Sequence, residues 1–190
     1  MTRALALIGL LTGLAGAAEV GSALAGPTAD AEAALDKDDY VKAFALYSQA
    51  VKEAGKDPAA RASALFDRAE AYARYAKDME ALADYNEALS LSPDAAFKAL
   101  VLSSRADLYA LERRYPEAIA DYTQALTFKP DLVGVLTARG QVHQRLREND
   151  AALADFDAEL KADPTYPKAL RAKARLLGQP DPTYIPEHPD

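Results

Sequence analysis

One pattern, written three times at nearly fixed spacing, constrains this chain more than any other feature. It first reads Leu65-x2-Arg68-Ala69-x2-Tyr72, then Ala81-x3-Tyr85-x2-Ala88, closed by Pro93. It returns as Leu102, Arg105, Ala106, Tyr109, Ala118, Tyr122, Ala125 and Pro130. It returns again as Leu136, Arg139, Gly140, His143, Ala152, Phe156, Glu159 and Pro164. The closing prolines, Pro93, Pro130 and Pro164, stand at nearly equal intervals. Residues three and four apart share one face of a helix, so each unit reads as two helices with a turn between them. Such a unit cannot bury its apolar face alone, and neighbours must stack to make a core.

Local signals place the helices. Asp57-Pro58 starts one, because Asp caps and Pro suits the first turn. That helix is expected to run to about Tyr75, and Lys77-Asp78 turns into a second ending near Leu91. Ser92-Pro93-Asp94 starts the next pair, with a break near Arg114-Tyr115-Pro116. Pro130-Asp131 starts the third, with a break near Glu148-Asn149-Asp150. A weaker unit precedes these. Its second helix is marked by Tyr40, Ala43, Tyr47 and Ala50, at the offsets of Tyr115, Ala118, Tyr122 and Ala125. Its first helix is expected over about Thr28 to Lys37. A last helix runs from Pro167 to about Leu177 and ends at Gly178. Its Leu170, Ala174 and Leu177 match Leu65, Ala69 and Tyr72, so it reads as the first half of an unfinished repeat that covers the apolar side of the last full one. Gln179 to Asp190 holds four prolines and is expected to be extended or disordered.

The interval from Pro130 to Pro164, with this layout, resembles the tetratricopeptide repeat, of an exported bacterial type; that repeat has a period of about 34 residues. The resemblance implies an all-α, right-handed solenoid over residues 27–178: about three full hairpins, a degenerate first one and a C-terminal capping helix. It implies a non-enzymatic scaffold or adaptor that binds a peptide or partner helix in a concave groove. The alternative is an assembly subunit that oligomerises through its outer faces. In this family the first helix of each pair lines the groove. Helical spacing then selects Glu32, then Ser63, Asp67 and Glu70, then Ser103, Ser104 and Asp107, then Thr137, Gln141, Gln144 and Arg145. On the last helix it selects Lys168, Arg171 and Arg175. The groove is thus expected to pass from acidic to neutral to basic. The alternative for the last three residues is that they simply favour the C-terminal half of a helix. The acidic tail, with Asp181, Glu187 and Asp190, is close enough in sequence to compete for them. Some members of the family bind the C-terminal carboxylate of chaperones through Lys, Arg and Asn. The asparagines are missing here, and Glu32 and Asp67 stand in the matching places, so that function is rejected.

Other repeated residues read as structure. Ala69, Ala106 and Gly140 let helices approach closely. Tyr72, Tyr109 and His143 fall at one equivalent position, expected to be buried, which makes His143 a packing residue and not a ligand. Tyr47, Tyr85, Tyr122 and Phe156 read as core. Arg68, Arg105 and Arg139 each precede an Asp at one constant offset: Asp84, Asp121 and Asp155. This fixed offset predicts three structural ion pairs that set packing register. The alternative is a ladder of arginines for anionic ligands.

Composition narrows the function. The chain has no Cys, so no disulfide, thiolate zinc site or cysteine nucleophile is possible. A net charge of −7 argues against general nucleic-acid binding. No phosphate loop, zinc-protease motif or nucleophile elbow occurs, and no cofactor or metal is implied. Residues 1–25 differ from the rest. Arg3 precedes an apolar stretch from Ala4 to Ala17, and Ala23-Leu24-Ala25 offers small residues for signal peptidase. Cleavage is expected after Ala25, with Ala17 as the second choice. The alternative is an inner-membrane anchor over residues 4–26, where Glu19 is the only charge. Without the anchor, the mature chain does not span a membrane. Export from a bacterium with two membranes would place it in the periplasm.

Overall fold

The computed structural model describes residues 25–92 and 94–183. Among them are nine helices and no strand: α1 (Ala25–Leu35), α2 (Tyr40–Glu53), α3 (Pro58–Arg74), α4 (Asp78–Leu91), α5 (Ala95–Leu111), α6 (Tyr115–Phe128), α7 (Val135–Arg145), α8 (Asn149–Ala162) and α9 (Pro167–Leu176). The chain forms two compact units, one ending at Asp94 and one beginning at Ala95. In the first, α1 packs on α2 and α3 on α4, with α2 against α3. In the second, α5 packs on α6 and α7 on α8, with α6 against α7 and α9 against both α7 and α8.

The expected starts and turns have clear local causes. Asp57 accepts hydrogen bonds from the backbone N–H of Ala59 (2.9 Å) and Ala60 (3.2 Å), and Pro58 opens α3. The turn inside every hairpin is built one way. Asp38, Ala76, Arg113 and Arg147 all take a left-handed φ of 56° to 63°. Beside each, a backbone N–H reaches back to a helix carbonyl: Asp39 to Ala34, Lys77 to Tyr72, Arg114 to Tyr109 and Glu148 to His143, at 2.8 to 2.9 Å. That bond closes the helix end and offsets the roughly 1 kcal/mol cost of a non-glycine residue in this conformation. A similar bond, Gln179 N–H to the Ala174 carbonyl at 2.8 Å, ends α9 beside Gly178 at φ +66°.

The core is made of alanines and one large ring per hairpin. Ala43, Ala69, Ala81, Ala88, Ala106, Ala118, Ala125 and Ala152 are fully buried, as are Tyr85 and Phe156. Small residues let helices approach closely enough for the ring of the facing helix to fill the gap. The limit is reached at Gly140, where an added Cβ would lie 2.6 Å from the Phe156 ring. Tyr72, Tyr109 and His143 do share a position, but they are half-buried, not buried. The guanidiniums of Arg68 and Arg105 sit 5.7 Å from the ring centres of Tyr72 and Tyr109. His143 pairs with Glu148 at 2.6 Å instead.

The third hairpin departs from expectation. Its first helix starts at Val135, not at Pro130-Asp131. The new start is held by Glu159, which stands where the other repeats have Ala88 and Ala125. Its buried carboxylate accepts from the Gly134 N–H (3.1 Å to both oxygens) and from the Thr137 N–H (3.3 Å) and hydroxyl (3.4 Å). Gly134, at φ 83°, turns the chain so that these groups converge. A carboxylate at a helix N-terminus satisfies donors that the helix itself leaves open.

The ends also differ in detail. Helix α1 runs over Ala25–Leu35, earlier than the expected Thr28 to Lys37. Ala172 and Leu176 of α9 pack on Ala152 and Phe156, while Leu177 remains 45% exposed. Residues 1–24, which carry most of the expected signal peptide, and 184–190 of the tail lie outside the described residues. No helix among the described residues is long and apolar enough to cross a membrane.

Replacing Glu159 with Ala leaves buried donors on α7 without an acceptor. Urea denaturation is expected to show a loss of about 2 kcal/mol, and an unchanged midpoint would contradict the capping role.

Candidate functional site

The ion pairs define what is structural and so unavailable to a ligand. Arg68 donates to both oxygens of Asp84 at 2.7 and 2.8 Å, and Arg105 to both oxygens of Asp121 at the same distances. Arg139 reaches Asp155 at 3.0 and 2.6 Å. The three aspartates are only 5 to 6% exposed. The remaining arm of Arg68 donates to Ser48 of α2 (3.2 Å), and that of Arg139 to Thr123 of α6 (3.0 Å). These two arginines therefore tie their own hairpin to the second helix of the hairpin before. Their forks are saturated within the protein, which speaks against a ladder for anionic ligands.

A second fixed offset links the first helix of each hairpin to its core ring. Glu32, Glu70, Asp107 and Gln141 occupy one position per repeat, each the same distance along the chain before Tyr47, Tyr85, Tyr122 and Phe156. The Tyr85 hydroxyl donates to Glu70 at 2.5 Å, and the Tyr122 hydroxyl donates to Asp107. Burial and the Asp107 charge push the Tyr122 hydroxyl well above its ordinary pKa. Burial, then the Glu32 charge, pushes Tyr47 up to about 12. In the third full repeat both partners change together: Phe156 has no hydroxyl, and Gln141 has no charge to satisfy. The acidic residues chosen for a groove are thus partly occupied by the core tyrosines.

The other selected residues separate into surface and interior. Ser103 is buried and donates to the Leu100 carbonyl at 2.8 Å. Thr137 is buried on Glu159. Neither is available at a surface, because on helices this closely packed a one-residue difference decides between groove and interface. Ser63, Gln141 and Arg145 are exposed, and Asp67, Ser104 and Gln144 are half-buried. Lys168, Arg171 and Arg175 are exposed on α9. In the first unit Asp67 lies near Glu32 and Glu70, and burial, then these two charges, push its carboxyl up to about 6. In the second unit Asp181 is held below the ordinary carboxylate range by hydrogen bonds from Thr183, with smaller help from Arg171 and Arg175.

No protein-family model matches this chain. No curated protein matches it either. Solved structures do. The chain is similar to BtubC (BKLC) from P. vanneervenii, with a TM-score of 0.75 and 17% identity over 83% of this chain and 73% of that one. It is similar to a tetratricopeptide repeat protein from Parabacteroides merdae ATCC 43184, with a TM-score of 0.69 and 24% identity over 82% of this chain. It spans 60% of that protein's length. The first tetratricopeptide repeat domain of Spaghetti (RPAP3), bound to the HSP90 peptide SRMEEVD, matches 63% of this chain and 93% of its own, with a TM-score of 0.59 and 18% identity.

Asp67 generates a pH prediction. Its carboxyl holds a proton to higher pH in the folded chain, at about 6, than in the unfolded one, near 4. Folding therefore takes up a proton between about pH 4 and 6, and this group's contribution to stability falls as pH rises through that window. Asp67→Asn is expected to raise stability at pH 7 by about 1 to 2 kcal/mol and to flatten the slope between pH 4 and 6. Chemical denaturation across that range reads it, and an identical slope in both chains would contradict the burial of a charged Asp67.

Proposed function

We propose that this chain, which has the tetratricopeptide repeat fold, is a non-enzymatic interaction scaffold of the cell envelope. It holds a peptide or partner helix along the faces of its first helices. One observation carries the reading. The positions that pack, at Ala69 and Tyr85 and at Arg68 and Asp84, repeat almost unchanged, while one first-helix position changes charge in order. It reads Glu32, Glu70, Asp107, Gln141 and Arg175. Packing explains the constant positions and, through the core tyrosine hydroxyls, Glu70 and Asp107, but it does not explain the change from Glu32 to Arg175. A polarised ligand does, because charge complementarity fixes orientation and steers encounter.

In this reading Glu32, Asp67 and Glu70 give the first unit an acidic face. In the second unit, taken by itself, Asp107 is the acidic residue, Gln141 and Arg145 follow, and Lys168, Arg171 and Arg175 make the basic end. The net charge of −7 favours a protein partner over nucleic acid. Export rests on the Arg3, apolar stretch and Ala23-Leu24-Ala25 pattern. Protein purified from the envelope is expected to begin at Gly26, and an intact Met1 in the membrane fraction would mean an anchor.

A second reading, assembly through the outer faces, is favoured by Val41 and Met79. They hold equivalent positions at the starts of α2 and α4, and they are 84% and 77% exposed.

Selection from a peptide library with the exported form tests the first reading. Replacing exposed Gln141 and Arg145 with Ala is expected to weaken selected peptides by about tenfold without changing the melting temperature. Unchanged binding would remove the groove from the account. Native mass measurement tests the second reading. A monomer is expected, and an oligomer dispersed by Val41→Ser with Met79→Ser would favour assembly instead.

A further inference from the structure

Among the described residues, helix α9 is a first helix without its second. Its residues follow those of α7 at the interval that separates Pro130 from Pro164, so Lys168 and Arg171 stand where α7 has Gly134 and Thr137. Those two α7 residues receive the Glu159 carboxylate of the second helix, α8. In α9 the neutral donors have become two exposed cations at the place where a second helix would lie. Leu177, at the position of His143, is 45% exposed at the other end of α9, where it is the C-cap. The chain after Gly178 runs Gln179-Pro180-Asp181-Pro182, and alternating prolines cannot build the missing helix. Among the described residues no other helix covers this face.

We propose that the second helix of this last hairpin is supplied by a partner protein, as an acidic amphipathic helix that sets a carboxylate between Lys168 and Arg171. The chemistry follows from the hairpin before. There α8 places Phe156 against the first helix and a carboxylate on its N-terminal donors. A helix docked on α9 in the same register meets half-buried Leu170 and exposed Leu177 with its apolar side, while Ala174, at the position of Gly140, is already buried. It meets Lys168 and Arg171, with Arg175 nearby, with its acidic side. Lys173, at the position of Arg139, is already taken by Asp157 at 2.5 Å and adds little. Asp181 lies within the field of Arg171 and Arg175, so the chain's own tail competes weakly for the same cations. This goes beyond peptide binding along the first helices, because it uses the face that a second helix would fill.

The probe is a synthetic peptide with the sequence of residues 149–162, which is α8 itself. It is titrated into the isotope-labelled exported form and followed by NMR. Amide shifts confined to α9 are expected. Lys168→Ala with Arg171→Ala should weaken the peptide by about tenfold, as should Glu159→Gln in the peptide. Both residues are exposed, so an unchanged melting temperature shows that the variant is folded. Higher salt should weaken binding, and Asp181→Asn should tighten it about threefold. No α9 shifts at millimolar peptide, or equal affinity in the double variant, would overturn the proposal. So would self-association of the chain that the double variant abolishes, which would give the face to a second copy. Library peptides that still bind when the α8 peptide does not would leave the groove reading standing and refute this one.

Discussion

The bidentate arginine–aspartate pair is the contact on which the rest of the architecture depends. Each hairpin is a stack of alanines and one ring, which packs tightly but specifies register weakly, since one small residue resembles the next. A planar guanidinium facing a carboxylate accepts one geometry. The remaining arms of Arg68 and Arg139 also reach the second helix of the preceding hairpin, so one side chain holds three helices. The net stabilisation is modest because both groups are largely desolvated. The specificity is larger, because a slipped helix would strand a buried aspartate. The first hairpin lacks the pair, with Asp30 and Leu46 at the matching positions. It closes instead through Ala31, Ala34, Ala43 and Tyr47, backed by Phe44 and Tyr75.

Because the repeats share a frame, each serves as a natural variant of the others. Tyr with Glu or Asp becomes Phe with Gln, and no hydroxyl or charge is left over. Ala becomes Glu159 where a left-handed Gly134 and a late helix start leave donors to be satisfied. Thr137 becomes Arg171 where the described residues hold no second helix. Paired changes of this kind separate residues that serve packing from residues that packing does not explain. The sequence Glu32, Glu70, Asp107, Gln141, Arg175 is in part the second sort, since only Glu70 and Asp107 have a tyrosine hydroxyl to explain them.

The fold class, the hairpin pairing and the three ion pairs were legible from the chain because each was written at constant offset. The start of α7 was not. Pro130-Asp131 has the form of a helix start, and nothing nearby shows that Glu159, on the following helix, will cap a later one at Gly134. The burial of Ser103 and Thr137 was hidden for a related reason. Helical spacing gives the angle of a residue around its own axis, but not the position of the neighbouring helix. The tyrosine–carboxylate pairs were also written at constant offset and were obscured by the reading of every first-helix acid as a groove residue. The left-handed turns at Asp38, Ala76, Arg113 and Arg147 carry no glycine and so no sequence mark.

A double-mutant cycle on Arg139 and Asp155 tests most directly whether the ion pair governs the hairpin. Arg139→Ala, Asp155→Ala and the double variant are compared by chemical denaturation. The account predicts that each single change costs about 3 kcal/mol and that the double costs much less than their sum, leaving a coupling of about 2 kcal/mol. Additive losses, with coupling below about 0.5 kcal/mol, would show that the alanine and ring packing sets the register alone.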